Sequence, residues 1–89
     1  MIEKEAEKIL KALANRRRLQ IIKILKKKKK VMVGDIADTI KLSFTATSKH
    51  LGVLYSAGIV DREQKSLQMW YSPSNNTHPI VKHISNSIE

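Results

Sequence analysis

The sequence predicts a mainly α-helical domain with one small β-hairpin, in the order helix, helix, helix, helix, hairpin, helix. Apolar residues recur at helical spacing through the first 56 residues and again near the end of the chain. Residues 59–72 instead hold two short runs rich in β-branched and aromatic residues. With 89 residues, 42% of them hydrophobic, the chain suits one small globular domain over residues 1–89.

The first two predicted helices occupy the N-terminal third of the chain. Apolar spacing predicts a helix over about residues 2–14. The segment NRRRLQIIKILKK begins with a potential N-cap, Asn15, and its apolar positions cover too wide an arc for one face. We therefore expect the second helix to be central and contacted on both sides.

The third and fourth predicted helices are separated by the tripeptide KLS. VGDIADTIK gives a short amphipathic helix from Val33. Ser43 is a potential N-cap for a helix from Phe44 to Ser56, which Gly58 would end. One side of this fourth helix is apolar, and the other is small, hydroxylated and basic, with no acid. Side chains of that kind can enter a DNA major groove and hydrogen-bond bases and phosphates.

The sequence period changes after the fourth helix. IVDREQ and LQMWYS predict two strands joined by the dipeptide KS, and Pro73 would stop their pairing. IVKHISNSI predicts a terminal helix over about residues 78–88. This order predicts a winged helix-turn-helix domain, with the helix-turn-helix over about residues 33–56 and the wing over about residues 59–72.

The net charge favours a nucleic-acid partner. The chain carries 17 Lys and Arg residues against 8 Asp and Glu, a formal net charge of +9. Residues 8–34 contain many basic residues and no acid. Lysine and arginine neutralise phosphates and release counterions, so this pattern is typical of a polyanion-binding protein. A lysine-rich surface that is only solvated is the alternative.

Other classes of protein are disfavoured by what the sequence lacks. There is no cysteine, which excludes disulfides, thiolate metal sites and thiol redox sensing. No glycine-rich phosphate loop occurs, and Ser48 and His50 would lie about 200° apart on one helix, too far for a nucleophile–base pair. We expect no enzyme activity and no cofactor. The acidic N-terminus and the lack of a long apolar run predict a cytoplasmic protein with no membrane segment, at the nucleoid when bound to DNA.

Two segments match residue patterns of a known family. The pattern Ser-x-x-Ser-x-His-Leu, leading into Leu-x-x-Ala-Gly-Leu-Val, is met at Thr45, Ser48, His50, Leu51, Leu54, Ala57, Gly58, Ile59 and Val60. KALANRRRLQIIKIL is similar to Ala-Leu-Ala-x-x-x-Arg-Leu-x-Ile-Leu, with Arg18 at the characteristic arginine. Through these segments, residues 9–72 resemble the ArsR-type winged-helix repressors.

The resemblance implies a homodimeric, sequence-specific repressor that binds a pseudo-palindromic operator in double-stranded DNA and pairs through its first and last helices. The predicted DNA contacts lie on the fourth helix and the wing: Phe44, Thr45, Ala46, Thr47, Ser48, Lys49, His50, Arg62 and Lys65. Apolar residues of the two terminal helices fit a dimer interface independently: Ile2, Ala6, Ile9, Leu13, Ile80, Ile84 and Ile88.

Three departures from the family pattern affect its metal and DNA sites. Met32 and Gly34 stand where metal-sensing members have cysteines, so that thiolate site is absent. Phe44 stands where Gln is common, and it either packs or contacts a thymine methyl. The predicted wing turn, Lys65-Ser66, lacks the usual glycine but can still reach phosphate or the minor groove.

Three basic features in the first two thirds of the chain can each be interpreted in two ways. His50 either contacts DNA or is a partly buried residue with a backbone partner. Arg18 makes either a structural hydrogen bond or an ion pair. The lysine run 26–30 either touches flanking phosphates or is a solvated turn that adds long-range attraction.

The histidines near the C-terminus do not form a convincing zinc site. Relatives that bind zinc there pair histidine with acids or further histidine, whereas the partners of His78 and His83 would be Asn76 and Asn86. Amides are poor zinc ligands, so we predict no metal site.

Two other functions stay open at this point. A non-specific architectural DNA-binding protein would show steep salt dependence and little sequence preference. A winged helix used for protein contacts would need apolar anchors on the exposed face of the fourth helix, where only Ala46 and Val53 are candidates.

Overall fold

The computed structural model describes all 89 residues, as five α-helices and three β-strands. The elements follow in the order α1 (Glu3–Leu13), α2 (Arg16–Lys28), β1 (Val31–Met32), α3 (Val33–Ile40), α4 (Phe44–Ser56), β2 (Val60–Lys65), β3 (Gln68–Pro73) and α5 (Pro79–Ser87). Helices α3 and α4 form a helix-turn-helix, and β2 with β3 forms a wing. The predicted fold class is therefore confirmed. The longest helices have 13 residues, and no helix combines the length and apolarity needed to cross a membrane.

The helix ends follow from local side-chain chemistry. At the start of α2, Asn15 Oδ1 accepts a hydrogen bond from the Arg18 backbone N–H at 3.1 Å. At the start of α4, Ser43 Oγ accepts one from the Ala46 backbone N–H, also at 3.1 Å. Gly58 takes a φ of +73° just after α4, a left-handed conformation that closes the helix and suits glycine. Both predicted caps and the predicted terminating glycine are confirmed.

The hydrophobic core is built around α2, which contacts the other four helices and β3. Ile21 and Leu25 of α2 are 0% and 1% exposed. Leu51 and Leu54 of α4 and Ile36 of α3 close over them and are also fully buried. The prediction of a central second helix is confirmed, because the wide apolar arc of α2 meets neighbours on several sides.

The sheet has one strand more than predicted. β1 and β2 each pair antiparallel with β3, giving the order β1-β3-β2. β1 consists of Val31 and Met32 alone, opposite Tyr71 and Trp70. Two residues show no period, so hydrophobic patterning could not reveal this strand.

The wing turn is displaced by one residue from its predicted position. Lys65 pairs with Gln68, so the two turn residues are Ser66 and Leu67 rather than Lys65-Ser66. Ser66 takes a φ of +55°, as the first position of a tight two-residue hairpin turn requires. Leu67, predicted to begin the second strand, is instead at the tip and 95% exposed.

Candidate nucleic-acid interface

α4 directs a small, polar surface away from the core. Its inner residues are Thr47, Leu51 and Leu54, each 0% exposed. The remaining side of α4 carries exposed or half-buried residues: Phe44, Thr45, Ala46, Ser48, Lys49, Gly52, Val53 and Ser56. This surface combines hydroxyls, one lysine and small side chains, and α4 contains no acid. It therefore allows close approach of a polyanion without charge repulsion.

Thr47 is a correction to the predicted DNA contacts. Its side chain is fully buried, and its hydroxyl Oγ1 has no hydrogen-bond partner. Thr47 precedes Leu51 by one helical turn on the inner side of α4, so it cannot reach a ligand in front of the helix. The four-residue spacing of Thr47 and Leu51 was a usable sequence signal for placing Thr47 in the core.

Phe44 does not pack in the core. It is the first residue of α4, directly after the Ser43 cap, and it is 61% exposed. Of the two interpretations of Phe44, the packed one is wrong. The helix therefore begins with an exposed aromatic ring.

Arg18 links the end of α1 to α4. Its Nε donates to the Ala12 carbonyl at 2.6 Å, and its NH2 donates to the Lys11 carbonyl at 3.1 Å. Its NH1 lies 3.2 Å from Nδ1 of His50. Because a guanidinium only donates, Nδ1 of His50 accepts this bond. The interpretation of Arg18 as a structural hydrogen-bonding residue is confirmed.

His50 is half-buried, and its surroundings disfavour the protonated ring. Burial lowers the pKa of its ring, and the positive charges of Arg18 and Arg17 lower it further. The predicted partial burial is therefore confirmed, but the partner is the Arg18 side chain rather than the backbone. His50 orients one side of α4 against α2.

Arg17 fixes the turn of the helix-turn-helix. Its guanidinium donates to the carbonyl of Ile40, the last residue of α3. The chain then reverses at Lys41, which has a φ of +56°. This bond fixes the end of α3, and therefore the short connection from α3 to the start of α4. No motif in the sequence distinguished Arg17 from the exposed Arg16.

Arg62 attaches the wing to α4. Its guanidinium carbon lies 3.9 Å from the centroid of the Tyr55 ring, a cation–π contact. Tyr55 is 41% exposed, and its ring stacks under Arg62. Arg62 itself stays exposed beside the outer face of the helix.

Lys65 belongs to a small ion-pair network near the wing tip. Glu63 Oε1 lies 2.5 Å from Lys30 Nζ and 3.6 Å from Lys65 Nζ. The hydrogen bond from Lys30 lowers the pKa of Glu63. The last lysine of the run 26–30 therefore contacts the wing, and Glu63 partly neutralises the charge that Lys65 offers to a phosphate.

The first helix exposes an apolar stripe that differs from the predicted one. Ile2 is 60% and Leu10 is 56% exposed, with the half-buried Ala6 between them at four-residue spacing. Leu13, predicted at a dimer interface, is 5% exposed and belongs to the core of its own chain, which corrects that prediction. Ile9 also packs partly against this core. Leu10 was missed, although its spacing from Ile2 and Ala6 was a usable signal.

The last helix exposes less apolar surface. Ile80 and Ile84 pack partly against the core, and Ile88 is half-buried at the helix end. His78 is the N-cap of α5, because its Nδ1 accepts the Ile80 backbone N–H at 3.2 Å. His83 is exposed, and the structure contains no group of three His, Cys, Asp or Glu side chains close enough to share a metal ion.

Residues 15–62 match the family model described as the bacterial regulatory protein, arsR family. A curated relative is the transcriptional activator HlyU of Vibrio cholerae, 36% identical over 67 residues. That match covers 75% of this chain and 61% of HlyU, so the chain spans less than two thirds of that relative.

Solved structures of similar proteins superpose on this fold. HlyU from Vibrio cholerae N16961 has a TM-score of 0.81 at 29% identity, covering 98% of this chain and 97% of that one. The homodimeric winged helix-turn-helix DNA-binding domain of Mb0332 from Mycobacterium bovis has a TM-score of 0.82 at 26% identity, covering 94% and 75%. The transcriptional repressor PagR of Bacillus anthracis has a TM-score of 0.78 at 26% identity, covering 96% and 94%. With more than half of its residues matched by the family model, this chain belongs to the ArsR family of bacterial regulatory proteins.

Proposed function

We propose that this protein is a homodimeric transcriptional repressor that binds double-stranded DNA at specific sequences. The observation that carries the proposal is the acid-free outer face of α4, presented by a helix-turn-helix whose turn is fixed by Arg17. Its family relatives include transcriptional regulators of both signs, an activator and a repressor. We favour repression because it requires only that the protein occupy its site on DNA.

The proposed base contacts come from the first half of α4. Thr45 and Ser48 supply hydroxyls, and Lys49 supplies a cation that can bind guanine acceptors or a phosphate. The exposed ring of Phe44 would contact a thymine methyl. Ala46 adds little bulk, so the helix can lie deep in the groove.

The wing and His50 would support these contacts from the sides. Arg62 and Lys65 on the wing would bind flanking phosphates. His50 is neutral near pH 7, so its contribution would be one hydrogen bond from the ring nitrogen not engaged by Arg18.

Dimerisation would set the symmetry of the DNA site. We propose that the stripe of Ile2, Ala6 and Leu10 on α1 pairs with its copy, with Ile88 of α5 at the edge. A twofold dimer of winged helices would direct its two α4 helices into successive major grooves, about 34 Å apart. The operator would therefore be pseudo-palindromic. Such a regulator would act in the cytoplasm, at the nucleoid when bound to DNA.

The test is selection of bound duplexes from a random pool, followed by salt-dependent affinity for the winner and for a scrambled duplex. We expect a dyad-symmetric winner that binds at least roughly a thousandfold more tightly than the scrambled duplex. Equal affinity for both duplexes, with a steep salt dependence, would instead indicate an architectural DNA-binding protein. No binding at low salt would leave a protein-interaction role.

Variants assign the effect to α4. Thr45→Ala should weaken binding to the selected duplex by about 0.5–1.5 kcal/mol, the effect of one lost hydrogen bond, and relax preference at one position. Lys49→Ala should weaken binding to the selected duplex more than Thr45→Ala does, because it removes a charged contact with a base or a phosphate. Lys23→Ala is the control, because Lys23 is an exposed lysine of α2 outside the proposed interface. Equal losses for Lys23 and Lys49 would mean that only overall charge matters.

A further inference from the structure

A cavity of about 490 Å³ lies at the opposite end of the wing from its tip. Its lining includes Val60 and Pro73, which form the first pair of the β2–β3 ladder. The turn at residues 66–67 follows five ladder steps later, which is roughly 17 Å along the strands. The cavity is therefore remote from the wing tip that is proposed to meet DNA, and its chemistry needs a separate explanation.

The floor of the cavity is apolar. Ile22 and Leu25 come from the C-terminal half of α2, and Val81 comes from α5. All three residues belong to the buried core, and the core therefore forms the bottom of the cavity. A volume of this size lies within the usual range for small-molecule sites, which are largely apolar with a few converging polar groups.

The rim of the cavity is cationic. Lys26 and Lys29 stand on the α2 side, and Lys82 stands on the α5 side. No Asp or Glu lines the cavity. Lys26 Nζ already reaches across to α5, where it donates to the Ser85 carbonyl at 3.4 Å. Three positive charges without a carboxylate partner, around an apolar floor, favour an anionic occupant with an apolar body.

Thr77 adds an unused polar group to the same wall. It lines the cavity, and its hydroxyl Oγ1 has neither solvent exposure nor a hydrogen-bond partner. A buried hydroxyl without a partner is unfavourable. Rotation about its χ1 bond towards a bound head group would supply that partner.

We propose that this cavity binds a small amphiphilic organic anion, with its acidic head group on the three lysines and its apolar body on the α2–α5 floor. This site would lie between α2 and α5, so its occupant would join two elements that contact each other directly. The proposal is about ligand binding alone and does not depend on the DNA-binding function.

The test is a titration of the isotope-labelled full chain with octanoate, followed through its backbone amide NMR signals. We expect saturable shifts concentrated in the C-terminal half of α2, in α5 and at the base of the wing. Two reference ligands divide the proposed chemistry: 1-octanol keeps the apolar body without the charge, and inorganic phosphate keeps the charge without the apolar body. Both should bind more weakly than octanoate.

Lysine variants locate the head group. Lys26→Gln and Lys82→Gln should each weaken octanoate binding roughly fivefold, the effect of about 1 kcal/mol from one exposed charge. Lys23→Gln is the matched control, because Lys23 is an exposed lysine of α2 that does not line the cavity. All three side chains are exposed, so the variants should fold.

Four results would overturn the proposal. They are an absence of saturable shifts with octanoate, shifts located elsewhere in the chain, equal affinity for 1-octanol, and equal losses in the Lys23 and Lys82 variants. The titration contains no DNA, so failure of this site and failure of the proposed repressor function remain distinguishable.

Discussion

At the scale of single residues, the inner side of α4 holds a polar group where a purely apolar core would be more stable. Thr47 is fully buried on the same side of α4 as Leu51 and Leu54, and its hydroxyl has no partner. A buried hydroxyl that loses its bonds to water without regaining one in the protein costs free energy. Threonine at position 47 therefore lowers the stability of the protein, because the rest of the inner side of α4 is apolar.

Thr47→Val should raise the free energy of unfolding by about 1 kcal/mol, because it replaces the unpartnered hydroxyl by a methyl group of similar size. Both residues are β-branched, so helix propensity changes little. The matched control is Thr39→Val, which removes a hydroxyl that donates to the Asp35 carbonyl at 2.8 Å. Chemical denaturation measures both variants. Destabilisation by Thr47→Val would mean that its hydroxyl is satisfied in solution.

His50 should make the free energy of unfolding decrease as the pH falls below 6.5, the ordinary pKa of histidine. Burial and then Arg18 lower its folded-state pKa below the ordinary value of 6.5. As the pH falls below 6.5, the unfolded chain takes up the proton first, so the free energy of unfolding decreases. The stabilisation from the neutral His50 ring is fully present above pH 6.5. It is lost as the pH falls from 6.5 to the folded-state pKa.

The variant His50→Asn should flatten that pH dependence, since an amide oxygen can accept from Arg18 but does not titrate. Denaturation midpoints at several pH values between 5 and 7 measure the slope. His83→Asn is the control, because His83 is exposed on α5 and should leave the slope unchanged. An unaltered slope in His50→Asn would assign the dependence to other groups.

At the scale of elements, the sequence predicts the helices far better than the details of the wing. Ser43, Asn15 and Gly58 each act through hydrogen bonds or dihedral angles within a few residues, so their local chemistry is readable. The two-residue strand β1 exists only because β3 offers it a partner. Likewise the turn at Ser66 depends on the pairing register of β2 and β3, which a sequence without a glycine turn signal leaves ambiguous.

The wing carries a charge network that should limit its attraction for DNA. Glu63→Gln would free Lys65 and Lys30 from their shared carboxylate. We expect tighter DNA binding. A plot of log affinity against log salt should also become steeper, by about 0.9 for each additional phosphate that the protein neutralises.

The control for that experiment is Asp61→Asn. It lies on the same strand two positions earlier, makes the same change in net charge, and breaks no ion pair. Affinity measured over a series of salt concentrations distinguishes the two. If both variants bind DNA more tightly by the same factor, the effect is that of overall charge, and Lys65 makes no phosphate contact of its own.

At the scale of the whole molecule, sequence patterning identifies which residues are apolar but not which chain buries them. The predicted dimer stripe on α1 included Leu13, which the core of the same chain occupies, and omitted Leu10, which is exposed. Both residues fit a helical period, and the choice depends on how α1 rests on α2 and α4. The predicted DNA contacts were affected in the same way at Thr47, because α4 has one side in the core and the other on the outer surface.

The exposed stripe on α1 leads to a prediction about assembly. Leu10→Glu should dissociate the proposed dimer, because it would bury a carboxylate in an apolar contact. It should leave the stability of the separate chain nearly unchanged, since Leu10 is 56% exposed there. Sedimentation equilibrium should give twice the 10.1 kDa chain mass for the parent protein and the single-chain mass for the variant.

The matched control is Leu67→Glu, the same substitution at a leucine that is 95% exposed at the wing tip. It should remain dimeric. If Leu10→Glu stays dimeric, the interface is not on α1 and would instead be formed by the half-buried isoleucines of α5. Loss of the dimer should also weaken binding to a dyad-symmetric duplex, because each half-site would then be bound independently. The measured mass and the DNA affinity should therefore both fall in Leu10→Glu. In Leu67→Glu the mass should stay that of the dimer, and any change should be in DNA affinity alone.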